Sequence, residues 1–286
     1  MTMYYGGIEA GGTKFVCAVS DENQKIIARI KFPTNSPQET IKNIKQFFEK
    51  YQLEKLAVGA FGPIGINKKN PDYGYVKETP KAGWQHFNFL GELKKFIHVP
   101  IVWTTDVNIA SYGEYRKGAA INKSSAVYLT VGTGIGGGLI YKDDVYQNWN
   151  HPEMGHIKVA PMKGDNFTGD CPYHKNCLEG MAAGPALEAR ACKKAFDLNK
   201  DDPIWRLEAF YLAQAAMTYT LLYAPEIVIF GGGVSNQQQL FPLIRKSFAK
   251  QLNQYVNTPP LDEYLVHAQL GDDAGITGAL LLAHGK

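Results

Sequence analysis

Two imidazoles and two thiols, those of His156, Cys171, His174 and Cys177, fall within the run EMGHIKVAPMKGDNFTGDCPYHKNCLEG. Cys171-x-x-His174-x-x-Cys177 sets three ligands at even short spacing, with His156 one loop upstream. Thiolate and imidazole donors in one compact loop suit tetrahedral zinc. Four protein ligands leave no open coordination position, so the set points to a structural ion that orders a loop hydrophobic burial alone would not hold. The competing reading is two free cysteines and two surface histidines that happen to cluster, because this spacing is not that of a standard finger. Glu153 precedes the cluster and Glu179 follows it. Carboxylates accept hydrogen bonds from sugar hydroxyls, and two can bracket a polyol; taken singly, each glutamate reads as solvated surface charge.

Three glycine-rich turns add a second kind of chemistry. Gly11-Gly12-Thr13-Lys14 and Gly132-Thr133-Gly134 each join two apolar strands. Backbone N–H groups in such turns bind phosphate oxygens, and the missing side chains allow close approach. Lys14 adds a positive charge. Gly231-Gly232-Gly233 follows a very apolar strand and would let an adenosine lie against the backbone. An ordinary tight turn remains the other reading of each, and none matches a Walker A loop or the full dinucleotide fingerprint. Asp106 ends the run IVWTTD at the start of a helix. Open α/β sheets place ligands at the carboxyl ends of their strands, where a carboxylate can act as general base toward a hydroxyl. Asp is also a preferred helix cap, which is the plainer reading.

These residues need strands and helices to carry them. YYGGIEA, KFVCAVS and KIIARIKF read as three strands. Ser36, Pro37 and Glu39 form a helix start with a capping box, and Ile41, Ile44, Phe47, Phe48 and Tyr51 give that helix one buried face. KLAVGAF and VPIVWTTD are further strands, the second running into the helix VNIASYGEYRKG. SSAVYLTVGTGIGGGLIY repeats the strand–turn–strand pattern. After the metal loop come helical runs at about 184–196 and 203–223, the strand EIVIFGGGVS, a helix to about Val256, a strand at 264–269 and a closing helix from about 273. The alternation argues α/β architecture, and the paired Gly/Thr hairpins suggest a duplicated core. Residues 1–118 with 271–286 are expected to form one lobe, with the first turn and Asp106. Residues 119–270 are expected to form the other, with the second turn, the metal loop and the Gly231–Gly233 segment.

The formal net charge of +3 and the lack of a long Lys/Arg run argue against a nucleic-acid surface. No apolar stretch approaches the roughly 20 residues that span a bilayer, and the N-terminus does not read as a signal peptide. Four cysteines, two of them in the cluster, fit a reducing cytoplasm. Cys17 and Cys192 read as small buried apolar residues.

Taken together, IEAGGTKF, TTDVNIAS, TVGTGIGGG, EMGH…CPYHKNCLEG and IVIFGGGVS resemble the ROK family of sugar kinases along nearly the whole chain. GAFGPIGI and ETPKAGW are similar to its bacterial fructokinase branch. The resemblance implies the actin-like ATPase (ribonuclease H-like) fold, with two lobes, a duplicated core and a zinc-stapled loop. It implies ATP-dependent phosphorylation of fructose at its 6-hydroxyl, with Asp106 as general base and Mg²⁺ accompanying ATP. On it the ATP contacts fall on Gly11, Gly12, Thr13, Lys14, Thr133, Gly134, Pro185, Gly231, Gly232, Gly233, Val234 and Ser235. The sugar contacts fall on Thr105, Asp106, Glu153, His156 and Glu179, and His156 is a zinc ligand as well. Glu9 stands where the family usually has Asp, a candidate contact to magnesium or its water, and Thr105 where it usually has Asn. The resemblance also implies a homodimer. The apolar helix at 203–223 is then core or partly interface. Rival expectations are a glucokinase, mannokinase or broader hexose kinase of the same family, a sugar-sensing transcription regulator, and a metal-stapled sugar-binding protein. The regulator is disfavoured by the first turn beginning near residue 8, which leaves no room for a DNA-binding domain ahead of it.

Overall fold

The computed structural model describes residues 3–285 and divides into two compact units. One comprises Met1–Gly118, Val145–His151 and Asp272–Lys286; the other comprises Ala119–Asp144 and Pro152–Gly271.

The first unit is built on β1 (Tyr4–Ala10), β2 (Lys14–Ser20), β3 (Ile26–Pro33), β4 (Leu53–Ala60) and β5 (Ile101–Thr105), in the order β3-β2-β1-β4-β5. β1 pairs antiparallel with β2 and parallel with β4. Alternation along β2 sorts its side chains to two faces. Phe15, Cys17 and Val19 join a core with Trp84, Phe89 and Trp103, while Val16 and Ala18 pack against Ile276 and Leu280 of the helix Ala274–His284. The helix Pro37–Phe48 covers the first face with Ile44, Phe47 and Phe48. Ser36 Oγ accepts from the Glu39 N–H at 3.4 Å, as the sequence predicts. The expected capping box differs in its other half: the Glu39 carboxylate accepts from Asn35 Nδ2 at 2.8 Å.

The second sheet holds β6 (Ser125–Val131), β7 (Ile135–Tyr141), β8 (Asp144–Val145), β9 (Val228–Gly231) and β10 (Leu265–His267), in the order β10-β9-β6-β7-β8. β6 pairs antiparallel with β7 and parallel with β9. Matching β6 to β1 and β9 to β4 gives the first sheet's connectivity again, so the duplicated core is real and the fold is that of the actin-like ATPases. The long helix Ile204–Tyr223 is mostly core: Trp205, Tyr211, Leu212 and Tyr219 are buried, while Leu221 and Leu222 in its last turn are exposed. The preceding helix ends at Ala191, short of the expected 196, because Cys192-Lys193-Lys194 breaks its apolar spacing. Cys192 turns left-handed at φ 53° and is exposed, which corrects the expectation of a buried residue; Cys17 is buried as expected.

Two packing features carry predictions. In the first unit the helices Asp106–Lys117 and Ala274–His284 cross at glycines. A Cβ at Gly278 would lie 1.7 Å from the Ile109 carbonyl oxygen, and one at Gly113 would lie 2.2 Å from that of Ala274. Gly278→Ala should therefore lower unfolding stability by about 1–3 kcal/mol, the usual cost of overpacking, read as a lower urea midpoint. In the second unit, Glu208 is 1% exposed and neither carboxylate oxygen has a hydrogen-bond partner among the described residues. Burial pushes its carboxyl well above the usual range, with Arg190 pulling weakly the other way. The native state thus holds a proton that the unfolded chain releases above the ordinary glutamate range, so this group's stabilisation is lost as pH rises toward the folded value. Glu208→Gln should flatten the fall in urea midpoint as pH rises above the ordinary glutamate range; an unchanged fall would reject the assignment.

Candidate functional site

β5 runs directly into the helix Asp106–Lys117. The cap of that helix is Thr105, whose Oγ1 accepts from the Asn108 N–H at 3.1 Å. Asp106 is the first helical residue, so the capping reading passes to its neighbour. Its Oδ1 accepts from the Val107 N–H at 2.9 Å. Burial raises the Asp106 carboxyl to about 6, with the Val107 N–H opposing. A group with that value is ionised at neutral pH and is a stronger base than a surface carboxylate. Glu9, on β1, is raised to about 7, chiefly by burial, with Lys14 lowering it and Asp106 raising it. Its Oε2 is buried with no hydrogen-bond partner among the described residues. A Cβ at Gly275 would lie 2.6 Å from Glu9 Cδ, so the first turn of the last helix abuts this carboxyl. An orphaned carboxylate oxygen suits a hydrated divalent cation.

The glycines of the three turns fall into two sets. Gly11, Gly231 and Gly232 are required by the chain itself: a Cβ there would lie 2.9 Å from Lys14 O, 2.2 Å from the Tyr128 hydroxyl and 2.5 Å from Val131 O, respectively, and Gly232 has φ +84°. Gly12 and Gly233 are different. Neither has a positive φ, and a Cβ at either would meet nothing within 4 Å. At Gly132 the nearest atom would be 4.0 Å away. With no steric or conformational need for glycine, these positions offer bare backbone to an approaching group. Thr13 and Thr133, at the turn tips, are exposed. Val234 and Ser235 are buried in the turn after Gly233, and Ser235 Oγ has no hydrogen-bond partner among the described residues. Lys14 Nζ pairs with Asp272 at 2.8 Å. Sequence reasoning missed Asp272, since nothing short-range links residues so far apart; its one trace was an Asp-Asp pair just before the last helix.

In the second unit, the turn at 132–134 and the metal loop are joined by Glu179. Its Oε2 accepts from the Ile135 N–H at 2.9 Å, and a Cβ at Gly134 would lie 2.7 Å from the same oxygen. Its Oε1 lies 3.9 Å from His156 Nε2. The Gly184 N–H donates to Gly132 O at 2.7 Å, setting Pro185 and the helix Gly184–Ala191 against the same turn. Glu153 is exposed and opens the turn Met154–His156; its carbonyl accepts from the His156 N–H at 3.0 Å.

One donor atom from each of His156, Cys171, His174 and Cys177 lies within 4.8 Å of the others. The two Nδ1 atoms are 3.3 Å apart. His156 Nδ1 is 3.8 Å from Cys171 Sγ and 3.5 Å from Cys177 Sγ, and His174 Nδ1 is 3.8 Å from Cys171 Sγ. Tetrahedral zinc, with bonds of about 2.3 Å to sulfur and 2.0–2.1 Å to nitrogen, needs edges of about 3.3 Å between nitrogens and about 3.6 Å between nitrogen and sulfur. The four residues fit the ion. His156 presents its two nitrogens to different partners: Nδ1 faces the cluster and Nε2 faces Glu179. Cys177 Sγ accepts from the Gly180 N–H at 3.5 Å and Cys171 Sγ from the His174 N–H at 3.4 Å. Lys158, which sequence reasoning did not single out, steadies the loop by donating to His174 O and Asn176 Oδ1, each at 2.8 Å.

The ROK family profile matches residues 5–286. The fructokinase of Pediococcus pentosaceus is 47% identical over 281 residues, covering 98% of this chain and 98% of that protein. Among solved structures, a ROK hexokinase from Thermus thermophilus superposes with a TM-score of 0.83 at 26% identity, over 98% of this chain and 97% of that one. A ROK glucokinase from Streptomyces griseus, in complex with glucose and AMPPNP, superposes with a TM-score of 0.75 at 25% identity over 100% of both chains.

Proposed function

The chain belongs to the ROK family, and from that premise we propose that it transfers the γ-phosphoryl group of ATP to the 6-hydroxyl of fructose. The observation that carries the choice of sugar is the near-full-length likeness to a fructokinase, far above that to the glucokinase. Asp106 takes the hydroxyl proton as the sugar oxygen attacks the γ-phosphorus in line. In the first unit the open backbone at Gly12, with Gly11, Thr13 and Lys14, binds phosphate oxygens, and Glu9 would contact Mg²⁺ brought by ATP; in the second unit Gly132, Thr133 and Gly134 offer the same kind of phosphate turn. Gly231 to Ser235 and Pro185 receive the adenosine. Thr105, Glu153, His156 and Glu179 bind sugar hydroxyls. Thr105 Oγ1 accepts from a backbone N–H and keeps its own O–H to donate to a sugar oxygen.

His156, Cys171, His174 and Cys177 would hold Zn²⁺, which would supply fixed charge and geometry to the loop. The chain's own residues do the binding: Glu179 ties that loop to the second phosphate turn, so ordering the one orders the other. The protein works as a homodimer in the cytoplasm. Leu221, Leu222 and Tyr255, at 47%, 66% and 80% exposure, supply apolar surface for a second copy. No helix among the described residues is long and apolar enough to cross a membrane.

The test is a coupled ADP-release assay with Mg-ATP and a panel of fructose, mannose, glucose and N-acetylated hexoses. Preference for fructose is expected. Preference for glucose or mannose would keep the mechanism and change the substrate, a reading favoured by the glucose-bound neighbour. No sugar-dependent turnover by zinc-loaded protein would point to a binding or regulatory protein.

A further inference from the structure

Val145–His151 belongs to the first unit, although Asp144 before it and Pro152 after it belong to the second. Two side chains tether this strap. The Thr104 hydroxyl donates to Gln147 Oε1 at 3.0 Å, and the Ile64 N–H donates to His151 Nε2 at 3.2 Å. The first tether does not end at Thr104. Asn108 Nδ2 donates to Thr104 Oγ1 at 2.9 Å, so Asn108, Thr104 and Gln147 form one relay. Thr104 and Asn108 are 2% and 1% exposed. They flank Thr105-Asp106, at the corner where β5 becomes a helix.

A hydroxyl carries one proton and must choose one acceptor. At Thr104 that acceptor is Gln147. Asn108 Oδ1 is buried and has no hydrogen-bond partner among the described residues. If Gln147 is lost, the Thr104 proton has Asn108 Oδ1 as its remaining acceptor in the relay, reached only when the Asn108 amide turns over. That reversal turns the Thr104–Asn108 bond around and leaves both Nδ2 protons buried where Oδ1 had no partner, an unsatisfied donor that loosens the corner. The Thr105 cap on the Asn108 N–H survives, so the helix persists while its first residue loses a fixed direction. Small errors of this kind at a reacting group cost rate without costing fold.

We propose that Gln147 is a positioning residue for Asp106, acting from the strap through Thr104 and Asn108. This rests on the base role proposed above for Asp106. Gln147 is exposed, so Gln147→Ala should leave the thermal midpoint unchanged. Its kcat should fall roughly tenfold with the KM for ATP unaltered, a split that a merely structural contact would not produce. Thr104→Val should reproduce the loss and Thr104→Ser, which keeps the hydroxyl, should restore it. Amide exchange over residues 104–112, followed by mass spectrometry, should quicken in Gln147→Ala. Exchange does not depend on which reaction the protein catalyses, so absence of sugar turnover in the unmodified protein rejects the proposed function while exchange still tests the relay. Unchanged exchange, or unchanged kcat where the unmodified protein is active, overturns the proposal.

Discussion

Asp106→Asn is expected to lower the kcat of fructose phosphorylation by about 10³-fold, within the 10²–10⁴ range of general-base catalysis, with ATP affinity nearly unchanged. The substitution keeps the side chain's size and an oxygen that can accept from the Val107 N–H, as Oδ1 does at 2.9 Å. The Thr105 cap is untouched, so the helix start survives. What disappears is the ability to accept a proton. The unmodified protein carries a second signature of the same role. Burial sets the Asp106 carboxyl at about 6, and its protonated form cannot act as a base. Accordingly kcat/KM should drop about tenfold per pH unit below that value, as a single essential base requires. Glu9, set at about 7, is the other carboxyl able to shape this limb. Glu9→Gln separates the two: the limb near 6 should persist in it and vanish from the residual activity of Asp106→Asn. Near-normal turnover by Asp106→Asn would end the base assignment.

Stripping the metal, or replacing Cys177 with Ser, is expected to abolish zinc binding and lower fructose turnover by roughly 10²-fold or more, at or beyond the upper end of what disturbing a metal's supporting shell costs. The loop has little else to hold it. Most of Asp165–Asn176 is exposed or half-buried. Its backbone is wound tightly, since a Cβ at Gly169 or Gly180 would lie 2.0 or 1.8 Å from the Lys175 carbonyl oxygen. Without the ion, burial and a neighbouring thiol raise the Cys177 thiol to about 11, and two sulfurs and two imidazoles stay crowded at the distances of a coordination shell. Thiolate ligation must displace the Cys177 proton, so acidification should release the ion before the fold is lost. Metal content by mass spectrometry, alongside ADP release for native, stripped and reloaded protein, measures both effects. Full turnover by stripped protein would leave the cluster without a part in catalysis.

Much of this arrangement was legible in the sequence because its logic is local. The Cys/His cluster, the Gly/Thr turns and the Ser36 cap each lie within a short run, and the sorting of β2 side chains to two faces follows from period-two patterning. The duplicated sheet was visible for the same reason, as two hairpins of similar composition. What escaped depends on long-range placement. Thr105 rather than Asp106 caps the helix because both residues suit a cap and only backbone geometry decides between them. The pairing of Lys14 with Asp272 joins opposite ends of the chain. The strap at 145–151 follows β7 in sequence yet belongs with the first unit through Thr104 and Ile64, and no pattern in YQNWN announces that. The differing needs of Gly12 and Gly232 are invisible to composition as well, since both are simply glycines until their surroundings are known.

The crossing at Gly113 and Gly278 has a consequence for biosynthesis. The helix Ala274–His284 completes the first unit, yet it leaves the ribosome only after all the strands of the second unit have been made. Until it arrives, Val16 and Ala18 on β2, and the groove at Gly113, have no cover. The second unit can close while the nascent chain is still growing; the first, though translated earlier, must wait with an apolar face open to water. That interval is where a chaperone would find its target, and where a premature stop before Ala274 would leave an aggregation-prone fragment rather than a smaller enzyme.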